Sequence, residues 1–321
     1  MGTMSEILDD AELRNLTISM LRAPKARDVQ HGIGASDLAN ACDRCLANRL
    51  LGRTIPNARA DSLWLGAEIG TALHAHLQSR HEELKESPLF PQLHGTHAEE
   101  HLFFGRIRGY GDIHGDSGGT IDLSLEHQLV DYKGADRKKM AFILDFLQAQ
   151  GVVRQGCEPY WEKQKGNAKT EGGYKLKVKS DTVITISATK YREEMEAVKH
   201  KVNGYFGQLN TYGLARARAG RPVTRLSIVW INRDGHGMFD APDNPRYDDP
   251  KAMHDVWVMS FPYSEEYALG LLARAQHIWD TLTAGAEPGD FEQSPHCFPC
   301  SLEIADSRKG HDVEATLNFA A

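Results

Sequence analysis

The chain has 321 residues, enough for one large domain or for one domain with a sizeable insertion. Apolar residues make up 41% and charged residues 25%, and no run of 18 or more apolar residues exists, which excludes a membrane-spanning helix. The net charge of −7 argues against non-specific coating of nucleic acid, while leaving room for a local basic patch.

Residues 1–35 read as a polar N-terminal segment; its start, MGTMSEILDD, has no apolar stretch for a secretory signal, so a cytoplasmic location is expected. Residues 36–51 predict a helix with Ser36 as N-cap and Gly52 as stop, which places Cys42 and Cys45 on one face. A second helix is predicted over 62–85, where Leu65, Ile69, Leu73 and Leu77 form the stripe of a packed helix, with His74 and His76 beside it. Residues 99–107, 118–125 and 127–134 predict an antiparallel run with a turn near Glu126, followed by a helix from Arg137. Residues 153–185 are rich in Lys and Gly with few apolar anchors, and read as an insertion, a β-ribbon or arm. A helix over 194–220, a buried strand over 225–234, a strand over 255–263 and a helix capped by Ser264 complete the pattern. Residues 301–321 read as a tail. This order implies an α/β (α+β mixed) fold, a mixed sheet flanked by helices in a single domain over 36–300.

The chemistry concentrates in GGTIDLSLEHQLVDYKG, residues 118–134. Strand side chains alternate, so Asp131 and Lys133 share a face, and pairing through the turn brings Asp122 towards Asp131. Two converging carboxylates repel unless a cation lies between them, and oxygen ligands suit Mg²⁺ or Mn²⁺. A lysine beside that ion can orient water or stabilise charge on a phosphate, the division of labour that phosphodiester hydrolysis needs.

These residues resemble motifs II and III of the PD-(D/E)xK nucleases, in their RecB-like branch. GTALH (Gly70 to His74) is similar to the helix that gives that branch a metal-binding His, and QLNTY (Gln208 to Tyr212) to its QxxxY motif. The resemblance implies a restriction-endonuclease-like core, with Asp122, Asp131, His74 and the Tyr132 carbonyl on the metal. It also implies Lys133 at the water, and Gln208 and Tyr212 on the DNA strand. Glu100, in the strand before, is a candidate auxiliary acid.

Four of the five cysteines form two CxxC pairs, Cys42/Cys45 and Cys297/Cys300, and Cys157 is left over. Four thiolates suit tetrahedral Zn²⁺ or an iron–sulfur cluster, and a shared centre ties the chain ends together. SDLANACDR and CFPC resemble the terminal patterns of the iron–sulfur nucleases: the fourth CRISPR-associated protein family and the AddB-type and Dna-two-type helicase-nucleases. That family carries one N-terminal and three C-terminal cysteines, against two and two here. The resemblance implies a 4Fe-4S cluster, with zinc as the alternative.

Between Arg154 and Lys201 eleven Lys and Arg stand against seven acids, interleaved with Tyr160, Trp161 and Tyr174. Such a stretch can follow a phosphate backbone and stack bases. The expected activity is that of a metal-dependent exonuclease on single-stranded DNA ends. No GxxxxGK[ST] motif is present, so it would work alone or with a recombination, adaptation or phage replication partner. The alternative is a non-catalytic nucleic-acid-binding adaptor on a zinc-stabilised, degenerate nuclease fold.

Overall fold

A computed structural model describes residues 32–53, 60–151, 161–166, 172–179, 182–233, 256–294 and 297, with backbone alone at 60–68, 177–179 and 182. Tyr160, Cys157, Cys300, residues 1–31 and the 301–321 tail lie outside the described residues.

The helix expected over 36–51 is two helices, α1 (Ala35–Ala39) and α2 (Asp43–Leu50). The break is made by Asn40, whose backbone is extended and whose side-chain oxygen accepts from the Cys42 N–H at 3.0 Å. Asn offers its own backbone such a turn in place of a helical bond. Gly34, not Ser36, therefore opens α1, and Cys42 becomes the N-cap of α2.

Helix α3 (Ala60–Leu84) is followed by β1 (His97–Gly105), a short α4 (Tyr110–His114), β2 (Ser117–Ser124), β3 (Gln128–Ala135) and α5 (Arg137–Ala149). Three short strands come next, β4 (Glu162–Gln164), β5 (Gly173–Lys179) and β6 (Thr182–Ser187). The 31-residue α6 (Ala188–Arg218), β7 (Arg225–Asn232), β8 (Val256–Pro262) and α7 (Glu265–Thr283) complete the order. Side-chain oxygens of Asp136, Ser187 and Ser264 cap α5, α6 and α7, each accepting from a backbone N–H three residues on. No described helix is long and apolar enough to cross a membrane.

Strands β1-β2-β3-β7-β8 form a mixed five-stranded sheet, antiparallel except for the parallel pair β3/β7. A parallel pair needs a long crossover, and here α5, the three short strands and α6 supply it. Residues 129–131 of β3 and 226–228 of β7 are buried in succession, as central strands covered on both faces are. Leu129, Ile228 and Trp230 from these strands meet Phe142 of α5 and Leu209 of α6 in the core. Each such apolar side chain contributes about 1.5–3 kcal/mol through burial.

Helix α6 packs against β1, β3 and β7, and its C-terminal arginines clamp the strands it crosses. The buried Arg216 guanidinium donates to the carbonyls of Glu126 and Gln128, holding the β2–β3 turn, and Arg218 donates to the Phe104 carbonyl at 2.6 Å. Helix α3 stands on β1 and β3, but Ile69 is 43% exposed, so the stripe expected to be packed is open at that point.

The Lys- and Gly-rich stretch is a three-stranded antiparallel sheet, β4-β5-β6, docked on the main body. Its aromatic residues are the anchors: Trp161 is buried against Phe142, and Tyr174 stacks on Tyr191 of α6 at 3.7 Å. The sequence expectation that Trp161 and Tyr174 stack bases is therefore not met: together with Leu176, Ile184 and Ile186 they pack the small sheet on the core.

Candidate functional site

The two strands of the acidic hairpin pair at Leu123↔Val130 and Ser124↔Leu129, and then part at Asp122. Asp122 fills the gap itself: its Oδ2 accepts from the Tyr132 backbone N–H at 2.6 Å. A carboxylate takes a ladder position here, fixing its second oxygen Oδ1 towards α3. That oxygen lies 3.0 Å from Nδ1 of His74.

Glu99 joins them. The pairs Ala98↔Leu123 and Glu100↔Ile121 bracket it, so it stands across from Asp122. Its φ of +52° is the one left-handed value among described non-glycine residues. Its carboxylate comes within 3.9 Å of the same His74 nitrogen. One ligand atom from each of His74, Glu99 and Asp122 lies within 4.8 Å of the others. One imidazole nitrogen and two carboxylates form a donor set that fits Mn²⁺ or Mg²⁺. Hydrogen bonds from Asp122 and then Glu99 push the His74 imidazole up to about 10.

Glu100, the acid singled out from sequence, faces away and is ion-paired with Arg221. Alternation along β1 explains the exchange, since only one of two adjacent acids can share a face with Asp122. The register that selects Glu99 is not a property of the local sequence, so no signal there could have found it.

Buried Asp131 pairs with half-buried Lys133. Lys133 Nζ donates to Asp131 Oδ1 at 2.8 Å and lies 2.7 Å from Oδ2, at an angle that leaves Oδ2 without a hydrogen bond. Burial, opposed by Lys133 and reinforced by Asp122, pushes the Asp131 carboxyl up to about 6. Asp131 is thus close enough to feel Asp122 and His74, and its buried Oδ2 accepts no hydrogen bond among the described residues. The Lys133 ammonium also sits 4.9 Å from the ring centroid of Tyr205, a contact the sequence did not suggest.

Gln208 and Tyr212 lie one turn apart on α6, near enough for the Gln208 amide to favour the ionised form of the Tyr212 hydroxyl. Burial raises the Tyr212 hydroxyl above its usual range, and the charges of Asp131, Asp122 and Glu99 add to the effect. A Cβ on Gly119 of β2 would stand only 2.9 Å from the Tyr212 oxygen. Gln208 lines a surface groove with Tyr205, Lys201 and Cys297. Tyr132 places its backbone N–H on Asp122 and its side chain in a pocket with Leu77 and Leu84.

Cys42, Cys45 and Cys297 form a separate buried cluster with sulfur atoms within 4.8 Å of one another, and 3.1 Å between Cys45 and Cys297. Contacts around it tie α2 to α7 and the segment that follows: the Arg44 N–H donates to the Glu292 carbonyl, and Arg274 of α7 pairs with Asp43 at 2.6 Å. The thiols of Cys297 and Cys45 hold the Cys42 thiol far below its ordinary range, a setting for thiolate ligands. Three buried sulfurs this close together form a donor set that suits a thiolate-held metal, either Zn²⁺ or an iron–sulfur cluster.

No protein-family model and no curated protein matches the chain. Two solved structures are similar to it. One is an alkaline exonuclease (LHK-Exo) from Laribacter hongkongensis, at 10% identity and TM-score 0.39, covering 87% of this chain and 95% of that one. The other is the same exonuclease in complex with dAMP, at 12% identity and TM-score 0.37, with the same coverage. At these values neither likeness bears on the chemistry of the site, which rests on its own geometry.

Proposed function

We propose that the chain is a divalent-metal-dependent deoxyribonuclease of PD-(D/E)xK type, acting as an exonuclease on single-stranded DNA ends. The observation that carries the reading is the convergence of His74, Glu99 and Asp122, with the Asp131–Lys133 ion pair beside it. In this reading His74, Glu99 and Asp122 hold Mg²⁺ or Mn²⁺, and Asp131 offers its unsatisfied oxygen as a further ligand. The ion, when bound, supplies a Lewis acid for the phosphate and a more acidic water.

Lys133 then orients the attacking water and stabilises charge on the phosphate oxygens. Its ammonium is fixed in place by Asp131 and the Tyr205 ring, so little reorganisation is needed at the moment of reaction. Gln208 offers its amide to the strand, with Tyr212 setting the amide's orientation. The choice of single-stranded ends comes from the family resemblance; without a GxxxxGK[ST] motif the chain would work alone or with a recombination, adaptation or phage replication partner. We also propose one catalytic domain over 36–300, with the small sheet as an insertion within it. Cys42, Cys45, Cys297 and Cys300 would form its structural metal centre. The resemblance favours a 4Fe-4S cluster there, with zinc as the alternative, and visible absorption of freshly purified protein separates the two.

The test is degradation of end-labelled single-stranded and duplex DNA in Mn²⁺ or Mg²⁺ by wild type, Asp122→Asn and Lys133→Met. Cleavage by wild type that both substitutions abolish is the expected result. No cleavage in either ion, from protein with its cysteine centre loaded, overturns the proposal.

A further inference from the structure

Beside the reacting groups runs a groove of about 270 Å³ between the start of α5 and the middle of α6, lined by Asp136, Lys138, Lys139, Phe142, Glu194 and Lys201, among others. Its two acids are already paired: Asp136 with Arg233 at 3.7 Å, and Glu194 with Lys138 at 3.8 Å and Lys190 at 3.6 Å. Lys139 and Lys201 line the same groove, have no carboxylate partner among the described residues, and stand close enough for Lys139 to disfavour the charged form of Lys201. Two neighbouring ammonium groups repel, and an anion between them relieves the repulsion.

The position of the pair identifies that anion. Lys201 lies 5.8 Å from the Tyr205 ring centroid, and Lys133 lies 4.9 Å from the same ring. Lys201 also borders the second groove, which runs past Tyr205 and Gln208 to Cys297. The two grooves therefore meet at Lys201, one aromatic ring away from the lysine placed at the scissile phosphate.

We infer that Lys139 and Lys201 form a phosphate subsite for a nucleic-acid strand, receiving a phosphate next to the one that is cut. The inference rests on the nuclease reading for the identity of the strand, and for the site itself on two lysines that share one groove with no carboxylate partner among the described residues. Partial desolvation and the neighbouring cations Lys139, Lys133 and Arg233 lower the Lys201 ammonium to about 7, and an arriving phosphate restores its proton. A terminal phosphomonoester and an internal phosphodiester present the same oxygens to this pair.

The experiment is fluorescence anisotropy of labelled single-stranded DNA on full-length protein, with Ca²⁺ replacing Mg²⁺ to suppress turnover and with salt varied. Strands with and without a terminal phosphate are compared on wild type, Lys201→Gln, Lys139→Gln and Lys201→Glu. Each glutamine variant is expected to weaken binding about tenfold and to reduce the salt slope by about 1, with Lys201→Glu weaker still. Lys201→Gln should melt no lower than wild type, because it removes a repulsion; a merely structural lysine would lower the melting point. A loss confined to phosphorylated ends assigns the subsite to a terminal phosphate, and an equal loss on both strands assigns it to an internal one. Unchanged affinity and salt slope in all variants overturn the subsite even if wild type cleaves DNA. Lysine-dependent binding without cleavage in any metal overturns the nuclease reading and leaves the subsite standing.

Discussion

Glu99 faces Asp122 across the β1–β2 ladder with its backbone in the left-handed region, at φ +52°. That conformation costs a non-glycine residue about 1–2 kcal/mol, and the strain lies at the point where an acid meets the candidate ligands. Glu99→Gly should therefore be more stable than Glu99→Ala by about 1 kcal/mol, the reverse of their ordinary order within a strand. Both variants should lose at least about tenfold in Mn²⁺ affinity, since each removes one donor. Denaturant melts and calorimetric titration of the two variants decide it; an Ala variant as stable as the Gly variant would show that Glu99 is unstrained.

The imidazole of His74 sets a pH dependence. Its folded value, about 10, lies above the ordinary 6.5 because Asp122 and Glu99 hold its proton. The resulting stability is fully present below about pH 6.5 and is lost as pH rises towards 10. In metal-free protein the stability difference between wild type and His74→Gln should shrink from pH 6.5 to pH 10. Mn²⁺ must displace the same proton, so affinity should rise with pH and binding should release a proton. Titration in buffers of different ionisation enthalpy measures that release, and finding none would remove His74 from the ligand set.

Gly119 and Tyr212 are coupled by lack of space. A methyl group on Gly119 would meet the Tyr212 oxygen at 2.9 Å and its ring carbon at 3.2 Å. Gly119→Ala should cost about 1–3 kcal/mol and displace Tyr212 from Gln208. Adding Tyr212→Phe removes the oxygen and should restore part of that stability, so the pair is non-additive. A double-mutant cycle with strictly additive losses would contradict the contact.

Cys42 and Cys45 from one end and Cys297 from the other predict a metal whose removal loosens both ends together. Chelation, or Cys45→Ser, should lower the melting temperature and expose the segment after α7 to protease, while the Asp122 site keeps its Mn²⁺ affinity. Elemental analysis of purified protein gives the stoichiometry. Protein that carries no metal at these cysteines and shows an unchanged melting temperature after Cys45→Ser would refute the centre.

Features set by local periodicity were legible in the sequence. The alternation around Asp131 and Lys133 predicts strand β3, and the Ser264 cap predicts the start of α7. The CxxC spacing brought Cys42 and Cys45 together, although for the wrong reason, since Asn40 ends α1 and leaves Cys42 as a cap and not a residue within a helix. What stayed hidden depends on pairing between distant segments. Choosing Glu99 over Glu100 requires the β1–β2 register, and placing Tyr205 and Lys201 beside Lys133 requires the docking of α6 on β3. The roles of Trp161 and Tyr174 turned on whether the small sheet packs inward, and composition alone is silent on that.

The parallel pairing of β3 with β7 also bears on how the protein comes into being on the ribosome. Asp131 and Lys133 emerge early, but the strand that flanks them arrives only when synthesis reaches Asn232. Until then the nascent chain exposes one side of an apolar strand, and the long crossover must close before the site exists. A translational pause before β7 should therefore lower the yield of active protein more than an equal pause after it, without altering the sequence.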